Sequence, residues 1–135
     1  MAMPYTLTYE PDHDVVIGMG SGNLGYLEAL EGAVSLWEHR EWKGKSVVWD
    51  FRTAHFDLSG ESVQELAEFV TRHQPLTRPP RVAMVVADDF NYGVARMYEA
   101  FRADLSTEVR VFQVYEDAVA WAAQVTSVDR EGDAR

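Results

Sequence analysis

Residues 82–87 read Val-Ala-Met-Val-Val-Ala, and this continuous apolar segment decides the fold class. A strand that is buried on both faces carries such a run, whereas a half-exposed strand alternates apolar and polar residues. Val47-Val48-Trp49 has the same character, and Val109 to Phe112 is predicted to be a further strand. Segments with helical periodicity separate these strands. The pattern therefore predicts a mainly parallel sheet covered by helices.

Four segments show the spacing of an amphipathic helix, with apolar residues three or four positions apart. We expect Asn23 to cap the first helix and Ser59 to cap the second, because both side chains accept hydrogen bonds from backbone N–H groups at a helix start. The third helix follows Asp88-Asp89-Phe90-Asn91. The predicted apolar faces are Leu27, Leu30, Val34 and Trp37; Val63, Leu66, Ala67 and Val70; Val94, Tyr98, Phe101 and Leu105; and Ala118, Trp121, Ala122 and Val125.

Two short strands precede the first helix. Residues 4–9 alternate apolar and polar side chains, a turn follows at Pro11, and residues 15–17 form the second strand, which is expected to pair antiparallel with the first. The predicted order is β-β-α-β-α-β-α-β-α. This is an α/β sandwich with a mixed, mostly parallel five-stranded sheet and four helices. We expect one domain over residues 1–126 and a polar, disordered tail over residues 127–135.

Composition restricts the function classes. The chain has 135 residues and a net charge of −10, from 12 Lys and Arg against 22 Asp and Glu. Nucleic acid is therefore not an expected partner, because its backbone is bound by basic surfaces. Cysteine is absent, which excludes disulfides and cysteine nucleophiles. The sequence has no apolar run long enough for a membrane span and no signal-peptide pattern, so a cytoplasmic location is expected.

Several segments together resemble a known family. They are Val47–Phe51, the Ser59-Gly60 helix start, the stretch from Tyr92 to Tyr98, and the C-terminal pattern of Val111-Phe112 followed by Ala118-Val119-Ala120-Trp121. With the element order, they resemble the STAS-fold, SpoIIAA-like proteins of bacteria and their uncharacterised STAS/SEC14-type relatives. The resemblance implies a SpoIIAA-like sandwich that acts by binding rather than by catalysis.

Anti-sigma-factor antagonists of this family carry an Asp-Ser-Ser/Thr-Gly motif whose last hydroxyl is phosphorylated. The matching stretch here is Asp57-Leu58-Ser59-Gly60, in which Leu58 replaces a hydroxyl residue. The resemblance therefore makes Asp57, Ser59 and Gly60 a candidate phosphoacceptor loop. The alternative is that Ser59 acts only as a helix cap.

A second candidate site would hold an anion at the start of the third helix. Tyr92 and Arg96 are four residues apart and share one helix face, while Arg52 follows a neighbouring buried strand. Arginines bind carboxylates and phosphates through paired hydrogen bonds. With His55 and Phe90 these residues form a candidate ligand site. The alternative is that the arginines pair with nearby acids.

Two further motifs each have two interpretations. Asp50, Asp88 and Asp89 could hold Mg²⁺ at the strand ends, or could be solvated loop acids. The segment from Gly20 to Gly25 matches the letters of a dinucleotide-binding Gly-x-Gly-x-x-Gly motif, or forms a turn of small residues. We expect no metal and no cofactor.

Two hypotheses for function follow from these patterns. The first is a non-enzymatic regulatory or interaction domain that docks a protein partner near the predicted loop from Asp50 to Ser59 and the second helix. The alternative is a small-molecule or lipid-binding module with the anion site described above. An enzyme is not expected, since no nucleophile elbow or metal-ligand spacing is present. A homodimer is a further candidate assembly, to which Trp42 could contribute.

Overall fold

The computed structural model describes residues 5–102 and 107–133, with side chains as far as Gln124. These segments contain five strands and four α-helices, which alternate from the second strand onward. A short 3₁₀ helix at Arg40–Trp42 precedes the third strand. The elements are β1 (Tyr5–Glu10), β2 (Val15–Leu24), α1 (Tyr26–Glu38), β3 (Ser46–Phe56), α2 (Gly60–His73), β4 (Arg81–Val85), α3 (Asp89–Phe101), β5 (Glu108–Phe112) and α4 (Tyr115–Asp133).

The strands lie side by side in chain order, β1-β2-β3-β4-β5. β1 is antiparallel to β2, and the other three pairs are parallel. This confirms the predicted fold class and the mixed five-stranded sheet. Each parallel crossover moves in the same direction, so the usual right-handed connection places α1, α2 and α3 on one face of the sheet. Helix α4 packs on the other face, mainly against β3 and β4.

A hydrophobic core fills each side of the sheet. The α4 side is built from small and β-branched residues such as Val48 and Val85, packed against Trp121. The side that faces α1, α2 and α3 is richer in aromatic residues, including Tyr5, Phe51 and Phe56. The aromatic side contains the candidate site, as described below.

Helix α2 agrees with the sequence prediction in both its cap and its buried face. Ser59 Oγ accepts a hydrogen bond from Ser62 N at 3.1 Å, which makes Ser59 the N-cap. The four predicted apolar residues are the ones that the helix buries, namely Val63, Leu66, Ala67 and Val70. Cap and periodicity are both local signals, and here no distant contact opposes them.

The predicted buried face of α1 is wrong. Leu27 is 66% exposed, and the helix buries Gly32 and Leu36 instead. The reason is a distant contact, because a Cβ atom on Gly32 would lie 2.8 Å from the ring of Tyr5. Only glycine lets the helix come so close to β1. The predicted Asn23 cap is also wrong, since the N-cap is Gly25, whose N–H donates to Glu28 Oε1 at 2.8 Å.

Strands β2 and β3 are longer than the sequence predicts. The glycine-rich segment that is expected to end β2 continues it to Leu24, and the expected loop from Asp50 belongs to β3 as far as Phe56. The two extensions pair with each other, with Leu24 opposite Phe56. The segment from Gly20 to Leu24 is therefore strand, so it does not form a phosphate-binding loop.

The backbone of α4 continues to Asp133, past the domain boundary predicted at residue 126. Residues 134–135, and all side chains after Gln124, lie outside the described part of the chain. The expectation of a disordered tail stays a prediction.

Candidate functional site

A row of aromatic rings covers the central strands under α1 and α2. Trp49 and Phe51, both on β3, stack in parallel with their ring centroids 6.0 Å apart. Tyr5 meets Trp49 edge-on at 5.4 Å, and Phe56 meets Phe51 edge-on at 5.0 Å. Edge-on and offset stacked pairs are the favoured arrangements of aromatic side chains. The four rings form a continuous aromatic floor.

Two glycines on β2 make room for this floor. A Cβ atom on Gly18 would lie 2.4 Å from the Trp49 ring, and one on Gly20 would lie 2.9 Å from the Phe51 ring. Both rings therefore lean across β2 rather than standing upright between the helices. The space above them is left unfilled.

This unfilled space is a cavity of about 100 Å³ between the sheet and the helices α1, α2 and α3. Ala29, Gly32 and Ala33 form its wall on α1, and Leu66 and Val70 form the wall on α2. All its lining residues are apolar or aromatic, and only two of them, Tyr5 and Tyr98, carry a hydroxyl. Trp49 is only half-buried although it lies on the middle strand, so the cavity has an open side. Apolar cavities of about this size accept small apolar molecules.

Tyr5 places one polar group at the cavity. Burial raises the pKa of the Tyr5 hydroxyl well above its ordinary range, and the negative charges of Glu28 and Glu31 raise it further. The hydroxyl is therefore neutral at physiological pH and can donate a hydrogen bond. A largely apolar site with one or two fixed polar groups is the usual composition of a small-molecule pocket.

The candidate phosphoacceptor loop lies at the start of α2. The Ser59 hydroxyl is occupied as the helix cap, and it also lies 3.1 Å from Ser62 Oγ. The Asp57 carboxylate accepts from Asn23 Nδ2 at 3.2 Å, and the Asp57 backbone N–H bonds to Leu24 at 2.8 Å. Gly60 lies beside the sulfur of Met97 on α3. Phosphorylation of Ser59 stays a prediction.

The residues of the predicted anion site do not converge. Arg52 projects to the α4 face, where its Nε and Nη2 lie 2.9 and 2.8 Å from the Asp50 carboxylate and its guanidinium covers the Tyr115 ring. Arg96 belongs to α3, and it bonds Tyr92 Oη at 3.3 Å and Glu99 at 2.9 Å.

His55 stacks on Phe90, with a ring separation of 5.4 Å, at the exposed carboxyl end of β3. These five candidate residues therefore belong to three separate contacts. The sequence analysis places Arg52 after the end of a strand, whereas Arg52 lies within β3, and the face that its side chain takes depends on how far that strand extends.

The three aspartates are also separate. Asp50 is buried and paired with Arg52, Asp88 caps α3 by accepting from Asn91 N at 2.8 Å, and Asp89 is exposed on the first turn. Within residues 5–102 and 107–124, no group of three or more His, Asp or Glu side chains is arranged to hold a metal ion.

The Asp50–Arg52 pair is expected to make stability depend on pH. Burial alone would raise the pKa of Asp50, but hydrogen bonds from the Arg52 side chain and backbone outweigh burial and lower it below its ordinary value of 3.8. The stabilisation is present above that value and is lost as the pH falls through the lower pKa of the folded state. Arg52→Gln should cost about 1 kcal/mol at neutral pH, a modest figure because the guanidinium is half exposed to water.

The measurement is thermal unfolding of both proteins between neutral pH and about pH 3. The difference in Tm should shrink as the pH falls below 3.8, because the unfolded chain then binds a proton at Asp50 that the folded wild type binds only at lower pH. Arg96→Gln removes an exposed ion pair and serves as the control, with little effect at any pH. An Arg52→Gln deficit that stays constant down to low pH would contradict the assignment.

The cavity is not among the sites predicted from the sequence. Its wall on α1 is made of Ala29, Gly32 and Ala33, which no binding motif marks. The available signal was indirect, namely small residues on one face of a helix with aromatic residues on nearby strands. Such a pattern is equally typical of close packing.

Comparison with solved structures identifies the architecture. An uncharacterised protein from Shewanella loihica PV-4, described as a member of the DUF3478 family with a SpoIIAA-like fold, superposes with a TM-score of 0.57. The match covers 87% of this chain and 91% of that one, at 15% sequence identity. This chain has the SpoIIAA-like fold. At this identity the similarity concerns the fold alone, and a SpoIIAA-like fold is compatible with many functions.

Two other comparisons found nothing. No family model matches the sequence. No curated protein matches it either. Among the described helices, none combines the length and the apolar character that crossing a membrane requires.

Proposed function

We propose that this protein is a non-catalytic binding domain of the STAS type whose ligand is a small apolar molecule held between α1 and α2. The aromatic-floored cavity carries the proposal. Residues of a sheet interior normally fill the space under the covering helices, because protein cores are close-packed. Here Gly18 and Gly20 let two rings lie flat, and small residues on α1 keep the space open.

The cavity volume sets the size of the ligand. An apolar cavity of about 150 Å³ is known to bind benzene, so a cavity of about 100 Å³ suits a small ring or the end of an alkyl chain. Each buried methylene contributes about 0.8 kcal/mol. Four to six buried carbons therefore supply about 3–5 kcal/mol, which corresponds to a dissociation constant in about the millimolar range. The natural ligand needs additional contacts to bind more tightly.

The test uses neutral probes, so that charge plays no part. Benzene should bind the wild-type protein, and octanol should displace it. Ala33→Leu places three extra carbons in the cavity wall and should weaken binding of both probes at least tenfold, which corresponds to about 1.4 kcal/mol. Ala120→Leu makes the same change at an exposed position on α4 and should leave affinity unchanged.

Thermal unfolding of both variants establishes that they are folded. Failure of the wild-type protein to bind either neutral probe would refute the proposal. Equal affinities for wild type and a folded Ala33→Leu variant would place the probe outside the cavity and refute it as well.

A protein partner is the second candidate ligand, and a specific surface favours it. Helix α3 exposes Phe90, Met97 and Phe101, at 56%, 36% and 44% of their full area. Met97 lies against Gly60, so this apolar surface adjoins Ser59. A partner docked there would sense a phosphate on Ser59, although the carboxylates of Asp57 and Glu61 would repel that phosphate. This function makes no use of the cavity, so it becomes the working hypothesis if the neutral probes do not bind.

A further inference from the structure

A second pocket lies at the opposite end of α1 from the Ser59 loop. It has a volume of about 240 Å³ and lies between the end of α1, the 3₁₀ helix and the loop that follows α2. Arg40, Lys43 and Lys45 line it together with the indole rings of Trp37 and Trp42. Its character is therefore cationic and aromatic, in contrast to the apolar cavity.

The walls of this pocket are tied together. Gly44 N donates a hydrogen bond to Thr77 O at 3.0 Å, which joins the loop before β3 to the loop before β4. The backbone of Gly44 has a φ of +70°, a conformation that favours glycine. The His39 ring stacks on Trp42 with a centroid separation of 4.1 Å. These contacts fix the positions of the loops that form the pocket.

The charge of this pocket is opposite to that of the whole protein. The chain carries a net charge of −10, yet Lys43 and Lys45, its only two lysines, both line this pocket. Lys45 is paired with Asp14 at 2.7 Å. Within the described part of the chain, Arg40 and Lys43 make no ion pair. Two unneutralised cations beside aromatic rings are suited to an anionic group.

The pocket lies beside the apolar cavity, about one helical turn further along α1. On α1, Gly32 and Ala33 line the cavity, and Leu36 and Trp37, on the same helix face, line the pocket. Four residues of helix separate Ala33 from Trp37, a distance of about 6 Å along the axis. Leu36 lines the pocket and belongs to a buried cluster, and Val82 and Trp49, which line the cavity, pack against that same cluster. A single molecule with an apolar part and a charged end reaches both spaces when the Leu36 side chain turns aside from between them.

We propose that the ligand is an anionic amphiphile: its apolar chain lies in the cavity, and its carboxylate or phosphate head binds Arg40 and Lys43. This inference rests on the proposed function, because it extends the ligand of the same cavity. It also supplies the contacts that an apolar group of this size lacks. Hydrogen bonds from charged donors are roughly twice as strong as neutral ones.

The experiment compares three probes with the same chain, namely octanol, octanoate and octyl phosphate. Wild-type protein should bind both anions at least fivefold more tightly than octanol. Added NaCl should lower the affinity for the two anions and leave the affinity for octanol unchanged. The double variant Arg40→Gln/Lys43→Gln should bind all three probes with the affinity that the wild-type protein has for octanol. Arg110→Gln removes an exposed cation on the α4 face and should change nothing. The relative affinities of octanoate and octyl phosphate distinguish a fatty acid from a phosphate ester.

Each failure has a distinct signature. If octanol binds but neither anion binds more tightly, the head site is overturned and the proposed function stands. Both anions could bind through Arg40 and Lys43 with affinities that Ala33→Leu does not change. That result would overturn the proposal of a single amphiphilic ligand and the role of the cavity in binding it. If wild type binds none of the three, both proposals fail.

Discussion

Replacing Asn91 by leucine is expected to lower the free energy of unfolding by about 3–5 kcal/mol. Asn91 is 1% exposed and joins the start of α3 to the end of β3. Its Oδ1 accepts from Phe56 N at 3.1 Å, and its Nδ2 donates to Ala54 O at 2.9 Å. Leucine has a similar volume but leaves both buried backbone groups without a partner. Each such group costs about 1–3 kcal/mol.

Urea unfolding at neutral pH measures the effect. Asn23→Leu is a matched control, because Asn23 is exposed and its only side-chain hydrogen bond within the described residues is to Asp57 at 3.2 Å. It should cost less than about 1 kcal/mol. An Asn91→Leu variant within that same range would show that Asn91 is not the link between β3 and α3. The variant tests the fold rather than ligand binding, since Asn91 does not line the cavity.

The elements that the sequence predicts well are those specified by local interactions. Helix α2 has its cap and its apolar period within one segment, so Ser59 and the stripe from Val63 to Val70 could be assigned correctly. The order of strands and helices is also a local property, repeated along the chain. The strand order then follows from short right-handed crossovers.

The errors arise where a distant residue decides the local structure. On α1, Leu27 is expected to be buried because it shares a helix face with Leu30 and Val34, but Tyr5 on β1 selects the face that carries Gly32. The glycines of β2 are expected to break the strand, whereas they accommodate Trp49 and Phe51 from the next strand. A glycine required for close packing looks the same in sequence as a glycine required for a turn.

The candidate site shows the same limit more strongly. The sequence pattern groups Arg52, which is expected just after a strand, with Arg96 on the third helix, but Arg52 lies within β3. Their separation depends on the alternation of side chains along β3, which is fixed only when the extent of that strand is known. The cavity is harder to predict, because it is a space that the side chains of the sheet and of the covering helices leave unfilled.

Gly18→Val is expected to destabilise the protein by about 3 kcal/mol, at the upper end of the cost of overfilling a core. A Cβ atom at this position would lie 2.4 Å from Cε3 and Cζ3 of Trp49 and 3.1 Å from Cδ2 of Leu7. The Trp49 ring is held on two sides by Tyr5 and Phe51. The ring can yield towards the cavity and its open side.

This restricted movement links stability to binding. Gly18→Ala is the milder change, and it should push the Trp49 ring into the space that we assign to the ligand, so the affinity for octanol should fall together with Tm. Gly93→Ala, on α3, is the matched control, because a Cβ atom at this position would have no neighbouring atom within 4 Å. The higher helix propensity of alanine should make this change stabilising by about 0.5–1 kcal/mol.

Combining Gly18→Ala with Trp49→Leu should cost less than the sum of the two single changes, by about 1–3 kcal/mol, because the smaller side chain leaves room for the new methyl group. If the two effects are instead additive, the ring and Gly18 do not compete for the same space. The flat aromatic floor would then not depend on glycine, and the reason we give for the open cavity would be wrong.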